Sequence, residues 1–153
     1  MILIDTGPLV ALCDSRDGYH ARALAEIDRI GTERLVALTA VLCEACFLLD
    51  TPALRLRLSA MLTQLEIGGR VGEHEPAFRD SVFEWLERYS EHHPDFADAC
   101  LAVASASERA IKVWTFDAEF VTTWRRPDGT RIPVAFGQRS SRKRGRRGKS
   151  GQG

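Results

Sequence analysis

No apolar run in the sequence approaches the ~20 residues needed to cross a bilayer, which argues against a membrane-spanning helix. A basic start followed by a long apolar stretch is also missing, so nothing near Met1 reads as a secretory signal and a cytoplasmic location is expected. Cysteine is scarce, with Cys13, Cys43, Cys46 and Cys100 the whole complement, and structural disulfides are not expected in a reducing compartment. Cys43 and Cys46 form a C-x-x-C, but no second C-x-x-C or matched histidine pair completes a zinc site. Redox pairs of this spacing usually open a helix, where the dipole lowers a thiol pKa. This pair instead sits in Val41-Leu42-Cys43-Glu44-Ala45-Cys46-Phe47-Leu48-Leu49, which reads as the middle of an apolar helix. Both thiols are therefore expected to be small buried hydrophobes.

Net charge is absent too, 21 Lys+Arg balancing 21 Asp+Glu, yet the balance conceals a split. Residues 139–149 hold seven basic side chains (Arg139, Arg142, Lys143, Arg144, Arg146, Arg147 and Lys149) and no acid, which leaves residues 1–138 with about −7. An acidic body can concentrate carboxylates around a cation, and a basic tail can touch phosphate.

The 153 residues, 44% hydrophobic and 27% charged, suffice for one domain with a real core. Met1-Ile2-Leu3-Ile4 predicts a buried strand, and Thr6-Gly7-Pro8 a turn and cap leading into a helix by residue 9. A helix over 19–30 ends at Gly31, and residues 35–38 form a second buried strand. Thr39 is placed as the N-cap of the helix that carries Glu44. Thr51-Pro52 opens a helix with Leu54, Leu58, Met61, Leu62 and Leu65 on one stripe, closed by Gly68-Gly69. Val71 is placed in a short strand. A helix over 76–89 presents Phe78, Val82, Phe83, Leu86 and Tyr89 on one face. His92-His93-Pro94 interrupts, and an almost wholly apolar helix runs from about Asp95 through Ala106. A strand over 112–116, a short helix over 118–124, a turn at Pro127-Asp128-Gly129 and a last strand over 132–136 complete the pattern. Strands alternating with helices predict an α/β fold, a three-layer α/β/α sandwich around a mainly parallel sheet. Residues 1–137 are assigned to this domain. Residues 138–153, rich in Arg, Lys, Ser, Gly and Gln, cannot build a core and are expected to be a disordered basic tail.

Four acids stand out. Asp5 and Asp117 each follow a predicted strand directly, so both project at the carboxyl edge of the sheet, where open α/β sheets bind ligands. Glu44 lies within about two turns of that edge on the helix leaving the second strand. Asp98 lies in the first turn of an apolar helix. Carboxylates in apolar helical segments are costly unless paired or metal-bound. Each acid alone could be a cap or an arginine partner; a shared cation accounts for all four. A ligand set made only of hard oxygens points to Mg²⁺ or Mn²⁺, and such a site suits phosphodiester hydrolysis.

Ile2-Leu3-Ile4-Asp5-Thr6-Gly7-Pro8-Leu9-Val10-Ala11-Leu12 resembles the opening of PIN-domain nucleases, especially VapC-type toxins. Leu42-Cys43-Glu44-Ala45, Asp95-Phe96-Ala97-Asp98-Ala99-Cys100-Leu101 and Trp114-Thr115-Phe116-Asp117-Ala118-Glu119-Phe120 resemble that family's remaining motifs in the same order. The likeness covers roughly residues 1–136. It implies a PIN fold, Mg²⁺- or Mn²⁺-dependent endoribonuclease activity, a homodimer and, for toxin members, a cognate antitoxin that blocks the site. By motif position it implies Asp5 and Asp98 as principal metal ligands, with Glu44 and Asp117 completing the catalytic cluster. Thr6, Thr115 and Glu119 are implied accessories, and Asp95 either joins them or simply begins its helix. Outside that pattern, Arg142, Lys143, Arg144, Arg146 and Arg147 are candidate RNA contacts.

Three alternatives compete. Asp5-Thr6-Gly7 matches the Asp-Thr-Gly of aspartic proteases, but that fold is predominantly β and needs two facing aspartates, against the long helical stripes and Pro8 found here. A non-catalytic RNA- or partner-binding PIN module would leave four acids without purpose. A PIN nuclease of RNA processing shares every residue noted with a toxin.

Overall fold

A run of three buried apolar residues, Ile2–Ile4, forms the central strand β1. The computed structural model describes residues 1–70 and 72–137. Along the chain follow α1 (Thr6–Cys13), α2 (His20–Ile30), β2 (Leu35–Ala37), α3 (Thr39–Leu48), α4 (Pro52–Gln64), α5 (Pro76–Arg88), a 3-10 turn at Ser90–His92, α6 (Phe96–Ser105), β3 (Lys112–Trp114) and α7 (Glu119–Thr122). The strands are parallel in the order β2-β1-β3, with Ile4 opposite Ala37 on one side and Trp114 on the other. The architecture is the α/β sandwich expected, and strands buried in this way need helical cover on both faces. The chain leaves β1 in one direction to make β2 and returns past it to make β3. The crevice of such a sheet opens where the order reverses, at the carboxyl ends of β1 and β3.

α6 packs on α5, α3 and β3. Its buried side chains are mostly small (Ala97, Ala99, Cys100, Ala102, Ala104 and Ser105 with Leu101), so its backbone approaches its neighbours closely. Across from it, Trp85 of α5 is 1% exposed, its ring 5.3 Å from that of Trp124 and 4.5 Å from that of Tyr89. Its indole N–H donates to the Arg125 carbonyl at 2.7 Å. Arg126, also buried, collects the carbonyls of Glu108, Arg109 and Ile111 and the Ser105 hydroxyl. A guanidinium suits that place, because its fixed fork of five donors can serve several loop carbonyls at once.

Several local expectations need correction. The first helix begins at Thr6 and is capped by Asp5, whose side chain accepts from the Thr6 N–H. Thr39 is the first residue of α3 and caps nothing; its N–H donates to Glu73 Oε2 at 2.8 Å, so a carboxylate from a distant loop does the capping. Thr51 does cap α4, but the helix stops at Gln64, before the glycines, as Glu66 turns to positive φ. Phe83 is 58% exposed, and Trp85 takes the core place expected of it. The strand after α6 ends at Trp114, and the following helix spans only Glu119–Thr122. The last strand reduces to one parallel bridge, Val134 beside Val113, because Pro133 has no N–H to continue a ladder. Val71 and residues 138–153 lie outside the described residues; the bridge nearest Val71 joins Gly68 to Val36.

Cys43 and Cys46 are exposed, against expectation, while Cys13 and Cys100 are buried. Only Val41 and Ala45 of α3 are buried. The helix is apolar on every side, and the body of the domain can cover only one.

Candidate active site

The carboxyl ends of β1 and β3 carry the acids, and the backbone fixes their separation. The Asp5 N–H donates to the Trp114 carbonyl at 2.9 Å, which ties the end of one strand to the end of the other. Asp5 then accepts the Thr6 N–H on Oδ1 at 2.7 Å and the Thr115 hydroxyl on Oδ2 at 2.6 Å. The same Thr115 oxygen accepts the Asp117 N–H at 2.9 Å, and Asp117 Oδ1 accepts the Glu119 N–H at 2.9 Å. One hydroxyl therefore holds both strand ends. From α3, Glu44 accepts the Thr6 hydroxyl on Oε2 at 2.6 Å. From α6, Asp98 accepts the Asp95 N–H at 3.3 Å while Asp95 accepts the Asp98 N–H at 2.7 Å, a reciprocal capping box.

These residues line one cleft of about 220 Å³, walled by Asp5, Thr6, Gly7, Glu44, Leu48, Asp95, Asp98, Phe116 and Asp117. All four acids marked in the sequence are brought to it, and Asp95 joins them. Asp95 both begins α6 and faces the cleft, two roles that the sequence presented as alternatives. Thr6 and Thr115 contact the carboxylates directly. The accessory Glu119 lends its backbone N–H to Asp117, and its side chain is not part of the wall. Arg142, Lys143, Arg144, Arg146 and Arg147 fall outside the described residues.

Bringing like charges together in a half-dry cleft is costly, and the carboxyl pKa values record it. Burial pushes Asp98 up to about 8, with repulsion from Asp95, Asp5 and Asp117 adding to it. Burial likewise raises Asp5 to about 6, although the hydroxyl of Thr115 and the N–H of Thr6 pull the other way. Among the described residues no ion pair reaches Asp5, Glu44, Asp95 or Asp98. Also among the described residues, no three acids are drawn closely enough together to enclose an ion as they stand; they ring the cleft. The donors are all carboxylate oxygens, and Asp5, Glu44, Asp95 and Asp98 meet no cationic side chain among the described residues, so the donor set fits a hard divalent cation such as Mg²⁺ or Mn²⁺. A larger, mainly apolar groove of about 640 Å³ adjoins the cleft and shares Glu44 and Asp95 with it.

A parallel sheet with an acidic cleft at its switch point defines a class of α/β domain built to gather carboxylates at strand ends. The sequence pattern of the PIN domain matches residues 2–123, and the chain belongs to the PIN-domain family. No curated protein matches it. The chain is similar in structure to the crystal structure of VapC20 from Mycobacterium tuberculosis, described as a sarcin-ricin loop cleaving toxin. The TM-score is 0.64 at 22% identity, over 80% of this chain and 94% of that one. At that identity the likeness speaks for the fold. No helix among the described residues is long and apolar enough to cross a membrane.

Proposed function

We propose that the chain is a Mg²⁺- or Mn²⁺-dependent endoribonuclease and the toxin of a toxin–antitoxin pair. The observation that carries this reading is the convergence of Asp5, Glu44, Asp98 and Asp117, with Asp95, on one cleft with no ion pair from a neighbouring cation to four of the five. Membership of the PIN-domain family and the likeness to a toxin that cleaves RNA support it. Asp5 and Asp98 would hold the ion, with Glu44 and Asp117 beside them. A bound divalent ion lowers the pKa of its water and stabilises charge on phosphate.

The chain's own contribution is orientation. Thr6 fixes Glu44 through one oxygen, Thr115 and the Thr6 N–H fix both oxygens of Asp5, and the Glu119 N–H holds one oxygen of Asp117. Hydrogen bonds of this kind set the direction of each carboxylate before a phosphate arrives. The reading includes a homodimer, a cognate antitoxin that blocks the cleft, and a cytoplasmic place of action.

The test is cleavage of a structured RNA by purified protein with Mg²⁺ or Mn²⁺, with EDTA, and with the metal restored. Cleavage is expected with either metal, lost with EDTA and regained on adding the ion back. Full activity of metal-free protein, with contaminating nuclease excluded by the Asp5→Asn variant, would refute the metal dependence. The basic residues 142–147 are assigned to RNA phosphates. Removal of residues 138–153 is expected to weaken RNA binding and to flatten its salt dependence, by a log–log slope of at most about 5 for single strands. An unchanged slope would remove the tail from the interface.

A further inference from the structure

The cleft wall includes an aromatic ring, and that ring is not alone. Phe116 lines the cleft next to Asp117. It rests against the start of α1 at Gly7, where a Cβ would lie 3.6 Å from its ring. Tyr19 stacks on Phe116 with ring centroids 4.9 Å apart and planes 26° from parallel. The Arg22 guanidinium also lies over Phe116, 4.5 Å from the centroid. Arg22 is held in turn by Glu26 at 2.8 Å, and Glu26 by the Trp114 indole N–H at 2.7 Å. Tyr19 is thus the outermost member of a column founded in the core.

The backbone of Tyr19 is fixed at both ends. Its N–H donates to Asp17 Oδ1 at 2.7 Å and its carbonyl accepts the Ala23 N–H at 2.8 Å. Yet 52% of the residue is open to solvent. A large ring held rigid and left uncovered, one ring away from an acidic cleft, offers binding area at small entropic cost. The cleft itself repels a polyanion, so a strand placed there gains from an attraction that carries no charge. Stacking of a base on an aromatic face supplies one that every nucleobase satisfies.

We propose that the open face of Tyr19 is the stacking platform for a nucleobase flanking the phosphate that enters the acidic cleft. Tyr19 is a substrate-positioning residue that supplies affinity with little sequence preference. The proposal rests on the ribonuclease reading above and adds to it where the strand lies.

Tyr19→Ala, Tyr19→Phe and Tyr19→Trp in the full chain test it, with kcat and KM measured on an RNA oligonucleotide that the wild type cleaves. Tyr19→Ala is expected to lower kcat/KM by roughly 5- to 150-fold, mainly through KM. Tyr19→Phe and Tyr19→Trp are expected to recover most of that loss, because the face matters and the hydroxyl does not. An abasic nucleotide, moved along the substrate, is expected to cost the wild type a similar factor at one position near the cleaved bond and to cost Tyr19→Ala nothing there. An unchanged KM in Tyr19→Ala, a Phe variant as impaired as the Ala variant, or no abasic position whose effect disappears would each overturn the platform while leaving the nuclease intact. If the wild type cleaves no RNA, the ribonuclease reading is what fails. Binding is then read from the Tyr19→Trp chain, whose new indole is exposed while Trp85, Trp114 and Trp124 are buried. Quenching of its emission by a single-stranded oligonucleotide upholds the platform, and an unaltered emission rejects it.

Discussion

Replacing Asp98 with Asn is expected to reduce RNA cleavage at least roughly 100-fold and, in the same molecule, to raise the stability of the ion-free fold at pH 8. The two effects have one origin. The carboxyl of Asp98 is pushed up to about 8 by burial first, then by Asp95 and Asp5, whereas an unfolded aspartate titrates near ~3.9. Between those values the folded chain binds a proton that the unfolded chain does not. Stability is therefore full below about pH 4 and falls as pH rises toward 8. Asp5, raised to about 6, adds its own loss over the lower part of the same window. Asparagine has no such proton to lose, and its amide oxygen can still accept the Asp95 N–H. With allowance for partial exposure, the gain is about 1–3 kcal/mol above pH 8 and near zero at pH 4. Calorimetry in EDTA at the two pH values, beside cleavage assays in Mg²⁺, measures both halves. Equal melting temperatures for variant and wild type at pH 8 would show that the acids do not strain one another. Cleavage at the wild-type rate would take Asp98 out of the chemistry.

Trp85→Ala is expected to cost about 3–5 kcal/mol, the range for removing a fully buried tryptophan. Typical domain stabilities are roughly 5–15 kcal/mol, so most of the margin goes. The indole touches Tyr89 and Trp124, and its N–H satisfies the Arg125 carbonyl next to the buried Arg126. Trp85→Phe separates these contributions. It keeps a ring against Trp124 but strands the carbonyl, at a cost of about 1–3 kcal/mol. Urea unfolding of the three chains gives the series, and an Ala variant within 1 kcal/mol of the wild type, on the order of a surface change, would mean that α5 is not held through this contact.

The acids were legible because their positions break local rules. Asp5 and Asp117 follow buried strands, and Glu44 and Asp98 interrupt apolar helices; a local cap can account for one such acid, as it does for Asp5 and Asp98, but not for the set of four. Parallel topology then carried all four to one edge. What the sequence left open depends on partners far along the chain. Glu73 caps α3 across 34 residues, and nothing near Thr39 announces it. Tyr19 meets Phe116 only after the first and last thirds of the domain pack together. The thiols of α3 were misplaced because a helix apolar on all sides has no periodicity to tell which side the core takes. Trp85 and Phe83 illustrate the same limit on a smaller scale: both suit a helix face, and a small rotation decides between them.

The strand order has a consequence in time. β1 is first along the chain but central in the sheet, flanked by β2 at residue 35 and by β3 only from residue 112. As the chain emerges from the ribosome, Asp5 lacks its Thr115 partner and the cleft lacks the wall of Phe116 and Asp117 until β3 has been made and has docked. More than nine-tenths of the PIN match precedes that point. A growing chain thus carries an unfinished cleft for most of its synthesis. If the cleft cuts RNA, its geometry is complete only once the last strand has docked.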